Sequence, residues 1–175
     1  IPDINELVSR NKSPEIYPDA LLIVDSTFQP TPKPQASFES SRSFYSVKHG
    51  DYGLKYQVVH SRDGRAVHVS GPHAGAKHDL NIFTDTVPII QAILKDPNFS
   101  WSLLADKGYV GSNALEGVNV HVPNKSTDIL QLYDEKDSQD LSEQRVLCEN
   151  FYGRVKSRYA FARETFQGSW SIHRV

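Results

Sequence analysis

Leu21-Leu22-Ile23-Val24-Asp25 joins four consecutive apolar side chains to a terminal carboxylate. A run that short and unbroken predicts a strand buried on both faces, from Leu21 to Phe28, because the proline cluster Pro30, Pro32 and Pro34 follows at once. The pattern returns at Leu103-Leu104-Ala105-Asp106, a strand predicted from Trp101 to Ala105 and again closed by aspartate. Two such strands side by side would put both carboxylates at their carboxyl ends, where ligands of open α/β sheets gather.

Outward from these two runs the chain alternates between extended and helical patterns. Phe44 to Lys48, Lys55 to Ser61 and Ala66 to Ser70 are predicted strands, and Arg62-Asp63-Gly64-Arg65 supplies a tight hairpin between the last two. A helical pattern opens near His78 and carries Leu80, Ile82 and Phe83; Pro88 is predicted to start a second helical piece through Leu94. Val118 to Val122 alternates into another strand, and a long basic helix closes the pattern. The order implies an α/β fold, a mixed β-sheet flanked by α-helices. Residues 1–20 read as an incoming connection with one short helix, 21–165 as one domain and 166–175 as a tail.

The third acid lies in the basic helix, at Glu149-Asn150-Phe151-Tyr152-Gly153-Arg154-Val155-Lys156. At 100° per residue, Arg145, Tyr152, Gly153, Lys156 and Arg163 fall within about 60° of Glu149, and Leu147, Phe151 and Ala162 fall opposite. The helix is expected to bury Leu147 and Phe151 while presenting a carboxylate among cations. Gly153 costs a helix about 1 kcal/mol relative to alanine, which predicts a close approach at that point. Two strand-end aspartates and a helical glutamate form a set of hard oxygen ligands suited to Mg²⁺ or Mn²⁺. Two such ions can clamp both the attacking and the leaving oxygen of a phosphodiester. Carboxylates about 5 Å apart repel by roughly 3 kcal/mol per pair at an effective dielectric near 20, so the metal-free trio should splay or hold a proton.

Composition narrows the alternatives. At 175 residues and 38% hydrophobic content the chain fits one core. Cys148 is its one cysteine, which excludes an internal disulfide and reads as a buried filler. No apolar stretch approaches the ~20 residues of a membrane helix, so no membrane role is expected. The absence of methionine and the start at Ile1 read as an excerpt of a longer polypeptide. The net charge of −2 hides an uneven distribution, with an acidic segment from Asp128 to Glu143 preceding the basic helix. His60, His68, His73, His78 and His121 match no closed zinc spacing and read as packing or surface residues.

Taken together, the motifs resemble the DDE transposases of the PIF/Harbinger class, the DDE superfamily endonucleases. Val24-Asp25-Ser26-Thr27 is similar to the first catalytic-aspartate motif and Ala105-Asp106-Lys107-Gly108-Tyr109 to the second. Glu149, Tyr152, Gly153, Val155, Lys156, Arg158 and Tyr159 are similar to the glutamate motif. Tyr45-Ser46-Val47-Lys48, Leu54-Lys55-Tyr56-Gln57, Gly75-Ala76-Lys77-His78-Asp79 and Val122-Pro123-Asn124-Lys125 resemble intervening motifs. The acids are separated by 81 and 43 residues in collinear order. Ala74 stands where the family usually has proline, and Tyr152 where phenylalanine is commoner.

The resemblance implies a ribonuclease H-like fold and cleavage of DNA at transposon ends followed by strand transfer. Asp25, Asp106 and Glu149 would be both the catalytic residues and the metal ligands, with Asp25 bridging two ions. Asp79 is a candidate additional acid, although its place at a helix start favours the structural role of stabilising the N-terminal dipole. Lys156, Arg158, Lys48 and Lys55 are candidate DNA contacts. The family implies a nuclear location and leaves room for a separate Myb-like DNA-binding partner and for a homo-oligomer. Two other readings share some of these residues: a domesticated, catalytically silent binding module, and a histidine-aspartate phosphohydrolase suggested by His73 and His78-Asp79.

Overall fold

A computed structural model describes residues 2–11, 17–35, 37–112, 117–122 and 146–165. The acidic segment from Asp128 to Glu143, Pro123-Asn124-Lys125, Arg145 and the tail lie outside the described residues. The elements run α1 (Ile4–Arg10), β1 (Ala20–Pro30), α2 (Phe38–Arg42), β2 (Tyr45–Ser46), β3 (Asp51–Ser61), β4 (Ala66–Ala74), α3 (Asp79–Ile93), β5 (Ser102–Ala105), a 3₁₀ turn (Lys107–Tyr109) and β6 (Asn119–His121). A helix over 146–158, α4, and α5 (Ala160–Arg163) follow.

β1 is central because its apolar run must be covered on both faces and both edges. β3 pairs with it antiparallel, Val24 opposite Val59, and β5 pairs with it parallel, Val24 opposite Ala105. The sheet order is β2-β3-β1-β5-β6, with β4 also on β3. This mixed α/β architecture is compatible with a ribonuclease H-like fold. On one face Leu22, Val24, Val59, Leu103 and Ala105 pack against Phe83, Val87 and Ile90 of α3. On the other, Ala20, Ile23 and Leu104 meet Cys148, with Leu147 and Tyr152 packed alongside.

Four local expectations are corrected. The strand expected over Phe44 to Lys48 shrinks to Tyr45–Ser46, because the amides of His49 and Gly50 both donate to the Ser46 carbonyl and close a turn with Gly50 at φ +67°. β3 begins at Asp51 rather than Lys55, picking up Tyr45 and Ser46 as partners. β4 continues past Ser70 to Ala74; as an edge strand it tolerates Pro72, with a register shift opposite Tyr56. α3 is one helix with Pro88 inside it, not two pieces. Pro88 faces solvent while Val87 and Ile90 are buried on the sheet, so the lost hydrogen bond falls where water can replace it. The hairpin at 62–65 is as expected, with Gly64 at φ +80° donating its amide to Ser61. α2, capped by Ser37, lacked an apolar repeat long enough to predict it.

Candidate active site

Pleating decides where the two strand-end aspartates point. Side chains alternate along a strand, so Asp25 shares the face of Ile23, and Asp106, continuing β5 in an extended conformation, shares that of Leu104. Ile23 and Leu104 both pack beneath Cys148 of α4. Asp25 and Asp106 therefore stand side by side on parallel neighbours, one residue beyond the Val24–Ala105 pair, on the face that α4 covers. Parallel strands lie about 4.8 Å apart, so the backbones that carry the two aspartates are neighbours. A backbone amide orients each: the Ser26 amide donates to Asp25 Oδ1 at 2.8 Å, and that of Gly108 to Asp106 Oδ1 at 2.7 Å.

The tetrapeptide Asp106-Lys107-Gly108-Tyr109 has a separate physical job at each position. Asp106 caps the 3₁₀ turn, and Tyr109 returns into the core, where its ring meets Phe83 edge to face at 5.7 Å. Gly108 cannot carry a side chain without crowding carboxylates: a Cβ there would stand 2.9 Å from Asp106 Oδ1 and 3.3 Å from Asp79 Oδ2. Asp79 thus flanks the same glycine as Asp106 while opening α3, and it pairs with Lys55 Nζ at 3.1 Å. Lys55 also donates to the Lys77 carbonyl at 2.8 Å, which fixes its ammonium at the helix start. The helix-start role expected for Asp79 and its place beside the acids hold together.

Glu149 arrives on α4, exposed and one turn before Tyr152. Tyr152 locks that helix to the site, its hydroxyl donating to the Asp25 carbonyl at 3.0 Å. Burial, and then the Asp25 carboxylate, push the Tyr152 phenol far above its ordinary value, so its hydroxyl keeps the proton it donates. The contact face is centred on Cys148, 1% exposed, with Leu147, Phe151 and Tyr152 half-buried around it. Cys148 is the buried filler expected. The close approach expected at Gly153 does not come from the described residues: among them an added Cβ meets nothing within 4 Å.

Among the described residues, no group of three His, Cys, Asp or Glu side chains stands close enough to hold an ion. The donor chemistry nevertheless fits a hard divalent cation. Asp25, Asp106 and Asp79 offer carboxylate oxygens near the strand ends, Glu149 lies on the helix that Tyr152 fastens to the Asp25 carbonyl, and the soft Cys148 thiol is sealed beneath that helix. Mutual repulsion gives carboxylates a reason to stand apart until a cation draws them in.

Three of the four candidate DNA contacts gather around a residue the sequence reading passed over. His49 stacks flat on Phe28, centroids 4.3 Å apart at 8°; burial first, then Lys48, Lys55 and Lys156, hold its pKa below the ordinary histidine value. Lys48 is exposed, Lys156 half-buried and Lys55 engaged with Asp79. Arg158 is exposed farther along α4. His60 is buried between β3 and α4, its ring edge-on to Phe151 at 4.8 Å and Tyr152 at 5.7 Å, a packing role as expected. Tyr109 and Gln57, quoted earlier within motifs but given no part, are wholly buried behind the aspartates. The available signal for Gln57 was an amide at an inward position two residues before Val59.

Comparison with protein families matches residues 24–174, a span that contains all three acids and most of the chain, to the DDE superfamily endonucleases. The chain belongs to that family. It is also 26% identical over 138 residues, 78% of its length, to a protein from Microchaete diplosiphon named as a probable transposase for insertion sequence element IS702. The chain spans 46% of that relative's length. No solved structure matches it. Family membership supports a DDE-type nuclease or transposase domain, and DDE superfamily nucleases generally use divalent metal ions. Among the described residues no helix is long and apolar enough to cross a membrane.

Proposed function

We propose that this chain is the catalytic domain of a transposase of the PIF/Harbinger class, a ribonuclease H-like nuclease that cuts DNA at element ends and joins the released 3′-hydroxyl to a second site. The supporting observation is the adjacency of Asp25 and Asp106 on parallel strands, with the helix that carries Glu149 hydrogen-bonded through Tyr152 to the carbonyl of Asp25 itself. Asp25, Asp106 and Glu149 hold the divalent cations in this reading. When bound, those ions supply activation of water for in-line attack on phosphorus and neutralise charge on the departing oxygen.

The chain's own residues do the rest. The amides of Ser26 and Gly108 keep the two aspartates aimed along the rim, and Tyr152 holds α4 over it. Lys48 and Lys156 draw the phosphate backbone toward that rim and set its register without reading sequence. Lys55 stays with Asp79 and restrains the fourth carboxylate beside Gly108. A Myb-like partner, self-association and a nuclear setting belong to the same proposal, resting on the resemblance alone.

The test is Mn²⁺-dependent nicking of supercoiled plasmid DNA by the protein and by Asp25→Asn. The unaltered protein is expected to nick, and the variant to lose at least about a hundredfold in rate while its circular dichroism is unchanged. An unchanged rate in the variant removes Asp25 from the chemistry, and a protein that binds DNA without nicking it is a silent binding module instead.

A further inference from the structure

A buried polar web lies on the α3 face of the sheet, directly behind the strand-end aspartates. The Tyr109 hydroxyl lies 3.0 Å from Ser26 Oγ and accepts from Gln57 Nε2 at 3.2 Å. The same Gln57 nitrogen also reaches the carbonyl of Asp79 at 3.4 Å. Gln57 and Tyr109 are both 0% exposed, and Gln57 sits opposite Ser26 in the β1–β3 register.

Burying this web is costly unless it fixes something. Apolar side chains of similar volume would satisfy the surrounding Val24, Val59 and Phe83 without dehydrating a phenol, an amide and a hydroxyl. Gln57 Oε1 finds no partner among the described residues, so the amide is held by its donor side. The groups it joins belong to the segments that carry the acids. Ser26 follows Asp25 in β1, Tyr109 ends the turn that Asp106 begins, and the Asp79 carbonyl starts α3. From β3, which carries none of the four candidate acids, Gln57 donates to Tyr109 and to the Asp79 carbonyl and reaches Ser26 through the tyrosine hydroxyl.

We propose that Gln57 and Tyr109 are positioning residues that hold Asp25 and Asp106 at the separation needed to share a cation. This rests on the metal-binding reading of those aspartates and extends it to groups that touch neither cation nor DNA. Tyr109 fixes the 3₁₀ turn, and so Asp106, relative to Ser26, and so Asp25. Gln57 holds the tyrosine hydroxyl from the far side and ties the start of α3 to the same point. Loss of the phenolic oxygen leaves the core packed but lets the turn after β5 shift against β1.

The experiment measures Mn²⁺ affinity by calorimetric titration of the protein, Tyr109→Phe, Ser26→Ala and Phe83→Leu, with thermal midpoints recorded for each. Removing a group that orients a metal ligand typically costs 10- to 100-fold, so Tyr109→Phe is expected to bind Mn²⁺ about tenfold more weakly. Ser26→Ala, which cuts one arm at a partly exposed position, should show a smaller loss in the same direction and serves if Tyr109→Phe does not fold. Phe83→Leu loosens packing around the same ring without touching the web, so its midpoint should fall while its Mn²⁺ affinity stays put. Unchanged affinity in Tyr109→Phe, or in Ser26→Ala if only that variant folds, overturns the positioning role while leaving the aspartates as ligands. An equal loss of affinity in Phe83→Leu overturns it too, by making the effect one of general loosening. A protein that binds no Mn²⁺ refutes the metal-site reading itself and this proposal with it.

Discussion

His60 ties the docking of α4 to pH, and the effect can be sized. Its ring is wholly buried between β3 and the aromatic pair Phe151 and Tyr152, and neither ring nitrogen finds a partner among the described residues. Burial first, and then the nearby Arg154 guanidinium, lower its pKa from 6.5 to about 4. Well above pH 6.5 the imidazole is neutral in both folded and unfolded chains and costs nothing extra. Between pH 6.5 and 4 the unfolded chain takes up the proton and the folded one does not, so stability falls as pH falls. At 1.36 kcal/mol per pH unit, the loss at pH 5 is about 2 kcal/mol, approaching roughly 3 kcal/mol below pH 4. The assay is urea unfolding by far-ultraviolet circular dichroism at about pH 7 and about pH 5, for the protein and for His60→Leu. His49, His68 and His73 also sit below the ordinary histidine value, but they are common to both proteins and cancel in the comparison. The unaltered protein should lose about 2 kcal/mol more than His60→Leu on acidification. Equal losses would refute the burial of a neutral His60 beneath α4.

Two further predictions bear on the rim. Gly108→Ala sets a methyl group against both Asp106 and Asp79, so Mn²⁺ affinity and plasmid nicking should each fall about tenfold with only a modest drop in thermal midpoint; unchanged affinity would mean that Asp106 binds nothing there. Lys156→Ala should weaken plasmid binding across sequences and flatten the slope of log affinity against log salt by about one unit, read by anisotropy across a salt series. An unaltered slope would leave Lys156 a solvated surface charge.

Strand positions were legible because burial on two faces leaves a plain imprint: Leu21 to Val24 and Leu103 to Ala105 could be little else, and both lie where expected. The errors occur where tertiary cover outweighs local signals. Pro88 reads as a helix start, yet the buried side chains on either side of it, from Ile82 to Ile93, carry the helix through because the proline faces water. The hairpin beginning at Tyr45 is cut short by the turn at Gly50, a backbone preference that the β-rich composition around it masked.

The site divides along the same line between local and long-range information. The candidate acids Asp25 and Asp106 stand out because each closes a recognisable strand, and the candidate cations Lys48, Lys55 and Lys156 because charge in a motif is conspicuous. Beyond its inward position two residues before Val59, nothing local marks Gln57, since its meaning depends on Ser26 across one ladder and on Tyr109 52 residues away. The same holds for Tyr152, whose hydroxyl reaches a backbone carbonyl 127 residues earlier. The helical wheel placed it correctly beside Glu149 but could not show that it is the bolt. A constellation of acids drawn from three elements therefore needs a second, uncharged set of contacts to hold those elements in place. Here that set consists of two buried tyrosine hydroxyls, one on each side of the sheet. Tyr109 ties the turn that follows β5 to β1, and Tyr152 ties α4 to the same strand one residue away.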